Sequence, residues 1–180
     1  MKRLDTIMSF ATPQDMCLDI GCGDGVYAFA LSQKCRKVVG VDADYDGIRL
    51  ANLRLAENKA TNCTCLQLPI SKISTSSLGL DEKFDMVYSM DVIEHLPDPE
   101  ELIKSSIRVL KPQGLVIIGT PIFENAELVS PYHVKEFTLE EITSLMARFL
   151  DIKEVILLPF DRKGTVYEEG YYVGVGVPLA

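Results

Sequence analysis

Short apolar runs alternate with helical patterns along most of this 180-residue chain. Apolar runs without polar alternation are typical of strands buried on both faces. They predict strands at residues 16–20, 37–41, 63–68, 84–89 and 115–119. Apolar positions at helical spacing predict helices at residues 25–33, 45–59, 99–110 and 138–149. Such alternation predicts a parallel sheet with helices on both of its faces.

The C-terminal third adds a turn, a helix cap and a change of pattern. The residues KPQG at 111–114 predict a turn before the fifth strand, and Thr138 with Glu141 predicts a capping box. Two strand-like runs, 152–159 and 170–178, predict a terminal antiparallel hairpin. We therefore expect a single α/β domain. Its doubly wound sheet has seven strands, mostly parallel, with an antiparallel C-terminal hairpin strand.

Composition and charge narrow the possible classes of function. The formal net charge is −8, which disfavours nucleic-acid binding, because phosphate contacts require a basic surface. No apolar stretch approaches the roughly 20 residues of a membrane helix, and the N-terminal residues MKRLDTIMSFA lack the apolar core of a signal peptide. The five cysteines are an odd number and predict reduced thiols in a cytoplasmic protein.

The stretch MCLDIGCGDGVYA places three glycines between the first strand and the first helix of the alternation. Gly21, Gly23 and Gly25 allow a sharp turn and a close approach of a ligand to the backbone. The free amide groups of the following helix point to the same place. Asp42 ends the second strand, where a carboxylate can accept hydrogen bonds from a ribose diol. Together these features predict a nucleoside site.

Two residues distinguish this loop from a dinucleotide-binding loop. The fingerprint G-x-G-x-x-G requires a glycine at position 26, where this chain has Val26. Asp19 precedes the first glycine by two positions, and its carboxylate suits an ammonium group and would repel a pyrophosphate. S-adenosylmethionine carries such an ammonium and no phosphate. A nicotinamide-dependent dehydrogenase is the disfavoured alternative.

Four motifs, in this order and spacing, resemble class I S-adenosylmethionine-dependent methyltransferases, most closely the ubiquinone-biosynthesis and type 11/12 branch. They are LDIGCGDG, GVDAD, FDMVYSMDVIEHLPDP and VLKPQGLVIIGTP. The resemblance covers roughly residues 14–150, and the hairpin ending fits the last two strands of the family. It implies a Rossmann-like fold, with residues 1–180 forming one methyltransferase domain.

The resemblance also implies which residues bind the cofactor. The methionine end of the cofactor would be held by Asp19, Gly21, Cys22 and Gly23. The ribose and adenine would be held by Asp42 and Ala43, and a wall beside the adenine would be formed by Gln67 and Leu68. Met90 would line the methyl group. This chain lacks the carboxylate that many relatives carry after the third strand.

Glu94, His95 and His133 are the candidate catalytic residues. Asp91, Glu94 and His95 are expected on one face of a helical turn, and three interpretations of this group remain open. Glu94 and His95 are structural, or His95 or His133 is a general base oriented by Glu94. The third is a divalent metal held by Asp91, Glu94, His95 and His133. That set resembles small-RNA terminal 2′-O-methyltransferases and some ubiquinone O-methyltransferases.

The methyl acceptor is only partly constrained by the sequence. Methyltransferases that act on nucleobase amino groups carry an Asn/Asp-Pro-Pro-aromatic motif where this chain has Ser89-Met90-Asp91-Val92. We therefore expect an oxygen or carbon acceptor on a small molecule, a glycan or a carrier-bound molecule. Few residues precede the first strand, so the lid is thin, and a homodimer or a partner subunit could complete it. The alternatives are a non-catalytic cofactor-binding subunit and a metal-dependent RNA 2′-O-methyltransferase.

Overall fold

The computed structural model of this protein describes residues 2–123, 130–159 and 170–179. Within these ranges the chain forms five α-helices, seven strands and two short 3-10 turns. The helices are α1 Lys2–Phe10, α2 Val26–Ser32, α3 Tyr45–Glu57, α4 Pro99–Val109 and α5 Leu139–Ala147. The strands are β1 Met16–Ile20, β2 Lys37–Asp42, β3 Cys63–Gln67, β4 Phe84–Met90, β5 Leu110–Ile122, β6 Leu150–Leu158 and β7 Gly170–Pro178. The 3-10 turns are Ile70–Lys72 and Ile93–His95.

The seven strands form one sheet in the order β3-β2-β1-β4-β5-β7-β6. Strands β1 to β5 pair in parallel, and β7 pairs antiparallel with both β5 and β6. The strand order reverses between β1 and β4, and ligands of doubly wound sheets bind at the carboxyl ends of strands beside such a switch point. The expected fold is confirmed. Residues 160–169, between the two hairpin strands, lie outside the described residues.

Two apolar layers cover the two faces of the sheet. One layer packs Ile103 of α4 and Ile142 of α5 against the sheet. The other packs Ile7 of α1, Leu31 of α2 and Ile48 of α3 against the opposite face. All five cysteines lie in this second layer, buried and without a disulfide bond. Helices α1, α2 and α3 therefore lie on the same face of the sheet. The glycine loop leads from β1 to α2 on this face.

Side-chain caps fix where α3, α4 and α5 begin. Asp44 precedes α3 and accepts the N–H of Gly47 at 2.6 Å. The predicted capping box of α5 is confirmed, because Thr138 accepts the N–H of Glu141 at 3.1 Å and the Glu141 side chain accepts the N–H of Thr138 at 3.0 Å. These bonds satisfy backbone donors that a helix start leaves unpaired.

The structure corrects the prediction for residues 111–114. They form a bulge inside β5 rather than a turn before it, because β5 already begins at Leu110. Phe84 pairs with Leu110, and Met86 pairs with Leu115. Between these two pairs β4 has one residue and β5 has four, so β5 bulges. Gln113 adopts a left-handed backbone, with φ of 70°. Sequence patterns also predicted no element before β1, where the structure has α1.

Candidate active site

Three left-handed glycines shape the loop between β1 and α2. Their φ values are 79° at Gly21, 50° at Gly23 and 76° at Gly25. A Cβ at Gly21 would lie 2.2 Å from a Val92 methyl, and a Cβ at Gly25 would lie 2.8 Å from the Cβ of Ala51. A Cβ at Gly23 would meet nothing within 4 Å. Gly21 and Gly25 are therefore required for packing, and the backbone is open to a ligand at Gly23.

A cavity of about 160 Å³ opens beside this loop. It brings together five of the nine residues that the sequence predicts for cofactor binding. Its lining consists of Asp19, Gly21, Cys22, Gly23, Asp24, Val26, Tyr27 and Met90. The other four predicted residues lie outside this cavity, along the ends of β2 and β3.

Asp42 connects the end of β2 to the glycine loop. One carboxylate oxygen accepts the N–H of Gly23 at 2.8 Å, and the other accepts the N–H of Asp44 at 2.9 Å. Each oxygen of an ionised carboxylate has a second acceptor site. The side chain is half-buried, so it can hold the loop and still accept hydrogen bonds from a ligand.

Ala43, Gln67 and Leu68 continue the same edge of the sheet. The side-chain amide of Gln67 donates to the carbonyl of Ala43 at 3.1 Å. The backbone N–H of Leu68 donates to the carbonyl of Asp42 at 2.8 Å. These bonds join the ends of β2 and β3 into one continuous wall.

Asp19 is a buried carboxylate that lines the cavity and is 2% exposed. Its Oδ2 atom has no hydrogen-bond partner among the described residues. Burial in this apolar surrounding raises the pKa of Asp19 well above its ordinary value. A buried acceptor without a donor is costly, and the ammonium of S-adenosylmethionine would supply that donor.

Arg3 of α1 reaches the carboxyl end of β4 and binds Asp91. One guanidinium nitrogen lies 2.9 and 2.7 Å from the two carboxylate oxygens. The guanidinium also lies 3.6 Å from the centre of the Tyr171 ring. Asp91 has a left-handed backbone, with φ of 57°. It does not share a face with Glu94 and His95 as expected, because the 3-10 turn begins only after it.

Glu94, His95 and His133 form a compact group. One potential ligand atom from each lies within 4.8 Å of those of the other two. The buried Glu94 accepts the Thr120 hydroxyl at 2.9 Å, and burial raises the pKa of its carboxyl. Nδ1 of His95 lies 2.8 Å from the carbonyl of Tyr132. The structure thus brings together the three residues predicted to be catalytic.

His133 contacts a carboxylate that was not among the predicted site residues. Its Nδ1 atom lies 2.7 Å from Oε2 of the buried Glu136. The sequence signal that could have indicated this contact is the three-residue spacing of His133 and Glu136 in YHVKEF. Arg3 offered no such signal, because 88 residues separate it from Asp91.

The imidazoles also fit the role of metal ligands. A histidine that binds a metal through one nitrogen usually donates its other ring N–H to a carbonyl or carboxylate. Both histidines have such a partner on Nδ1, which leaves Nε2 of each ring as the atom that can bind. Two imidazoles with one carboxylate form a donor set suited to a divalent cation. Asp91, the fourth residue of the metal hypothesis, is engaged by Arg3.

Comparison with known proteins identifies the family. A family model described as a methyltransferase domain matches residues 12–153. The chain belongs to this family. The match contains the glycine loop, Asp42, the group around Glu94 and the histidine His133. The resemblance to class I S-adenosylmethionine-dependent methyltransferases is thereby confirmed.

Individual relatives agree with this membership. The Ubiquinone biosynthesis O-methyltransferase of Acinetobacter baylyi is 30% identical over 103 residues, which are 57% of this chain and 42% of the relative. The chain thus spans about two fifths of that relative's length. The N-methyltransferase NodS of Bradyrhizobium japonicum, solved with S-adenosyl-L-homocysteine, has a TM-score of 0.78 at 17% identity, covering 99% of this chain and 87% of NodS.

A third similar structure limits what the fold implies. The 4+2 cyclase SpnF has a TM-score of 0.81 at 16% identity, covering 99% of this chain and 82% of SpnF. The fold is thus shared with a protein named for a different reaction, and the chemistry must be argued from the site. Among the residues that the structure describes, no helix is long and apolar enough to cross a membrane.

We predict that Gly23→Ala folds but loses cofactor affinity. An alanine at this left-handed position costs about 1–2 kcal/mol of stability, and its methyl group occupies the open side of the loop. Gly79→Ala is the matched control, since Gly79 has a φ of 66° and also meets nothing within 4 Å. Chemical unfolding should show similar losses for both variants. Calorimetry should show S-adenosylhomocysteine affinity reduced about tenfold or more, 1.4 kcal/mol, in Gly23→Ala alone.

We predict that Asp19→Asn stabilises the cofactor-free protein at neutral pH and abolishes cofactor binding. The folded pKa of Asp19 lies above the unfolded value of about 3.9, so the folded state holds the proton more tightly. Stability therefore falls as pH rises from the unfolded pKa toward the folded pKa. In urea unfolding, the advantage of the variant should grow as the pH rises above about 4, where the unfolded carboxyl ionises and the buried one keeps its proton. An Asp46→Asn control at an exposed site should show no such trend, and a gain independent of pH would contradict the argument.

Proposed function

We propose that this chain transfers the methyl group of S-adenosylmethionine to a hydroxyl oxygen, or a carbon, of a small molecule, a glycan or a carrier-bound acceptor. The observation that carries the proposal is the pair of imidazoles beside Glu94, each with Nδ1 engaged and Nε2 left to act. Glu94 and His95 come shortly after Met90 in the chain, and Met90 lines the cavity at the glycine loop. The names of the curated relatives, O-methyltransferases, support an oxygen acceptor.

In this proposal the glycine loop and the strand ends hold the cofactor. Asp19 accepts its ammonium, Gly21, Cys22 and Gly23 provide the close backbone approach, and Asp42 accepts the ribose hydroxyls. Ala43, Gln67 and Leu68 line the adenine, and Met90 lines the reacting methyl. When bound, the cofactor supplies a methyl group on a positively charged sulfonium. Since this methyl is already activated, the residues mainly provide proximity and orientation.

The acceptor hydroxyl must lose a proton when its oxygen takes the methyl group. Nε2 of His95 or His133 can accept that proton, because Nδ1 of each ring has its own partner. A positioned general base of this kind typically contributes about 10²- to 10⁴-fold in rate. Glu94 accepts the Thr120 hydroxyl, and its carboxyl lies within 4.8 Å of a ring nitrogen of each histidine, where it can orient the imidazoles. The expected catalytic residues are thus Glu94, His95 and His133.

A divalent cation is the second candidate, favoured by the 4.8 Å grouping of Glu94, His95 and His133. These three side chains would hold it. It would polarise the acceptor hydroxyl and lower the pKa of that group. Both mechanisms require the same state of the two histidines. Nε2 of each ring must carry a lone pair, either to accept the acceptor's proton or to bind the cation.

We predict that the wild-type protein binds S-adenosylmethionine and S-adenosylhomocysteine and that Asp42→Ala weakens both. Removal of a charged acceptor costs about 1.5–3 kcal/mol per hydrogen bond, or roughly 10- to 100-fold in affinity. Asp46→Ala is the control, because Asp46 is exposed and lies four residues away. Isothermal titration calorimetry measures the three proteins. Binding of NADH in place of either ligand would contradict the proposal.

We predict that methyl transfer proceeds fully in the presence of a chelator if an imidazole is the base. Phenolic and sugar acceptors are incubated with methyl-labelled S-adenosylmethionine, with EDTA and with added Mn²⁺. Electron paramagnetic resonance of Mn²⁺ measures binding independently of activity. Activity that is lost in EDTA and restored by Mn²⁺, together with Mn²⁺ binding that His133→Gln removes, would establish the cation instead.

A further inference from the structure

The segment that carries His133 is fastened to the 3-10 turn that carries Glu94. The backbone N–H groups of Val134 and Lys135 both donate to the carbonyl of Glu94, at 2.8 and 3.1 Å. Nδ1 of His95 meets the carbonyl of Tyr132 at 2.8 Å. The two imidazoles meet edge to face, with ring centres 4.9 Å apart. The position of His133 is thus determined by contacts that also hold the proposed catalytic turn.

Glu136 is a buried carboxylate, and its two oxygens have different partners. The residue is 1% exposed. Oε1 accepts the backbone N–H of Ser130 at 3.0 Å, and Oε2 lies 2.7 Å from Nδ1 of His133. An ionised carboxylate can only accept hydrogen bonds, so Nδ1 of His133 must carry the proton. In the neutral ring, Nε2 then carries the lone pair.

We propose that Glu136 is the positioning residue of His133. It fixes the tautomer and the ring orientation so that Nε2 is the atom available to the acceptor. This inference rests on the proposed function, and it holds whether Nε2 takes the acceptor's proton or binds a cation. In the proton-transfer case, the new C–O bond forms as the S–CH₃ bond breaks, with its electron pair staying on sulfur, and the acceptor O–H bond breaks. The proton moves to Nε2, and the sulfonium becomes a neutral thioether.

The bonding around Glu136 makes Glu136→Gln an informative variant. A glutamine has nearly the same shape but only one oxygen, and the other atom becomes an NH₂ donor. The backbone N–H of Ser130 can only donate, so it takes the oxygen. The NH₂ group then faces Nδ1 of His133, which must become an acceptor. The variant should therefore reverse the tautomer and place the proton on Nε2. Glu136→Asp keeps two acceptor oxygens and is the conservative variant.

The first measurement is the tautomer of His133 by ¹⁵N nuclear magnetic resonance of the imidazole nitrogens. The chain has two histidines, so a His95→Gln spectrum assigns both. In spectra of the neutral imidazole, His133 should carry its proton on Nδ1 in the wild type. It should carry it on Nε2 in Glu136→Gln. A wild-type proton on Nε2, or no change in the variant, would overturn the proposal.

The second measurement is the kinetics of methyl transfer, with S-adenosylhomocysteine affinity measured alongside. We expect kcat of Glu136→Gln to fall at least about 100-fold, with cofactor affinity within twofold of wild type and partial rescue in Glu136→Asp. Glu140→Gln makes the same change at an exposed position and should leave kcat unaltered. A reversed tautomer with unchanged kcat would overturn the role of Glu136 in the reaction. Absence of cofactor binding in the wild type would instead overturn the proposed function, and the tautomer measurement would still test the contact with Glu136.

Discussion

The pairing of β1 with both β2 and β4 is the constraint on which the rest of the structure depends. Backbone hydrogen bonds hold β1 in parallel register with both neighbours. This arrangement brings together the loop after β1, the carboxylate of Asp42 after β2 and the turn after β4. Because the strand order reverses between β1 and β4, the connections leave on opposite faces and open a crevice. The glycine loop and Met90 at the end of β4 line the cavity at this crevice.

Carboxyl groups lie at the ends of β1, β2 and β4 and in the segment that carries His133, and their hydrogen-bond partners differ from residue to residue. Asp42 accepts backbone N–H groups, Asp91 is paired with Arg3, and Glu136 meets a backbone N–H and an imidazole. Asp19 differs, since one of its buried oxygens has no donor among the described residues. Buried polar groups are ordinarily satisfied, and exceptions point to a function. In the proposed function, the ammonium of the cofactor would supply the missing donor at Asp19.

Within the glycine loop, two glycines are needed for packing and the third faces open space. The same backbone conformation recurs at three glycines, yet only Gly23 faces open space. Gly21 and Gly25 allow the turn to pack against Val92 and α3, and this packing fixes where the Gly23 amide lies. A similar division holds on the other side of the crevice. There the segment that carries His133 is held by the Glu94 carbonyl, so that one turn provides both a side chain and a backbone anchor.

The amino-acid sequence by itself determined the order of the seven strands and of the helices from α2 to α5, the antiparallel ending, the capping box of α5 and the family. Apolar periodicity, glycine spacing and a carboxylate after β2 are local signals that a single chain carries in its residue order. Tertiary structure alone decided the bulge within β5, the separation of Asp91 from Glu94 and His95, and the contacts of Arg3 and Thr120 with carboxylates. The physical reason is that these depend on residues far apart in the chain, or on a backbone conformation that residue type alone does not specify. Whether a glycine packs or faces a ligand, and which ring nitrogen of a histidine is free, are set only when the neighbouring elements are in place.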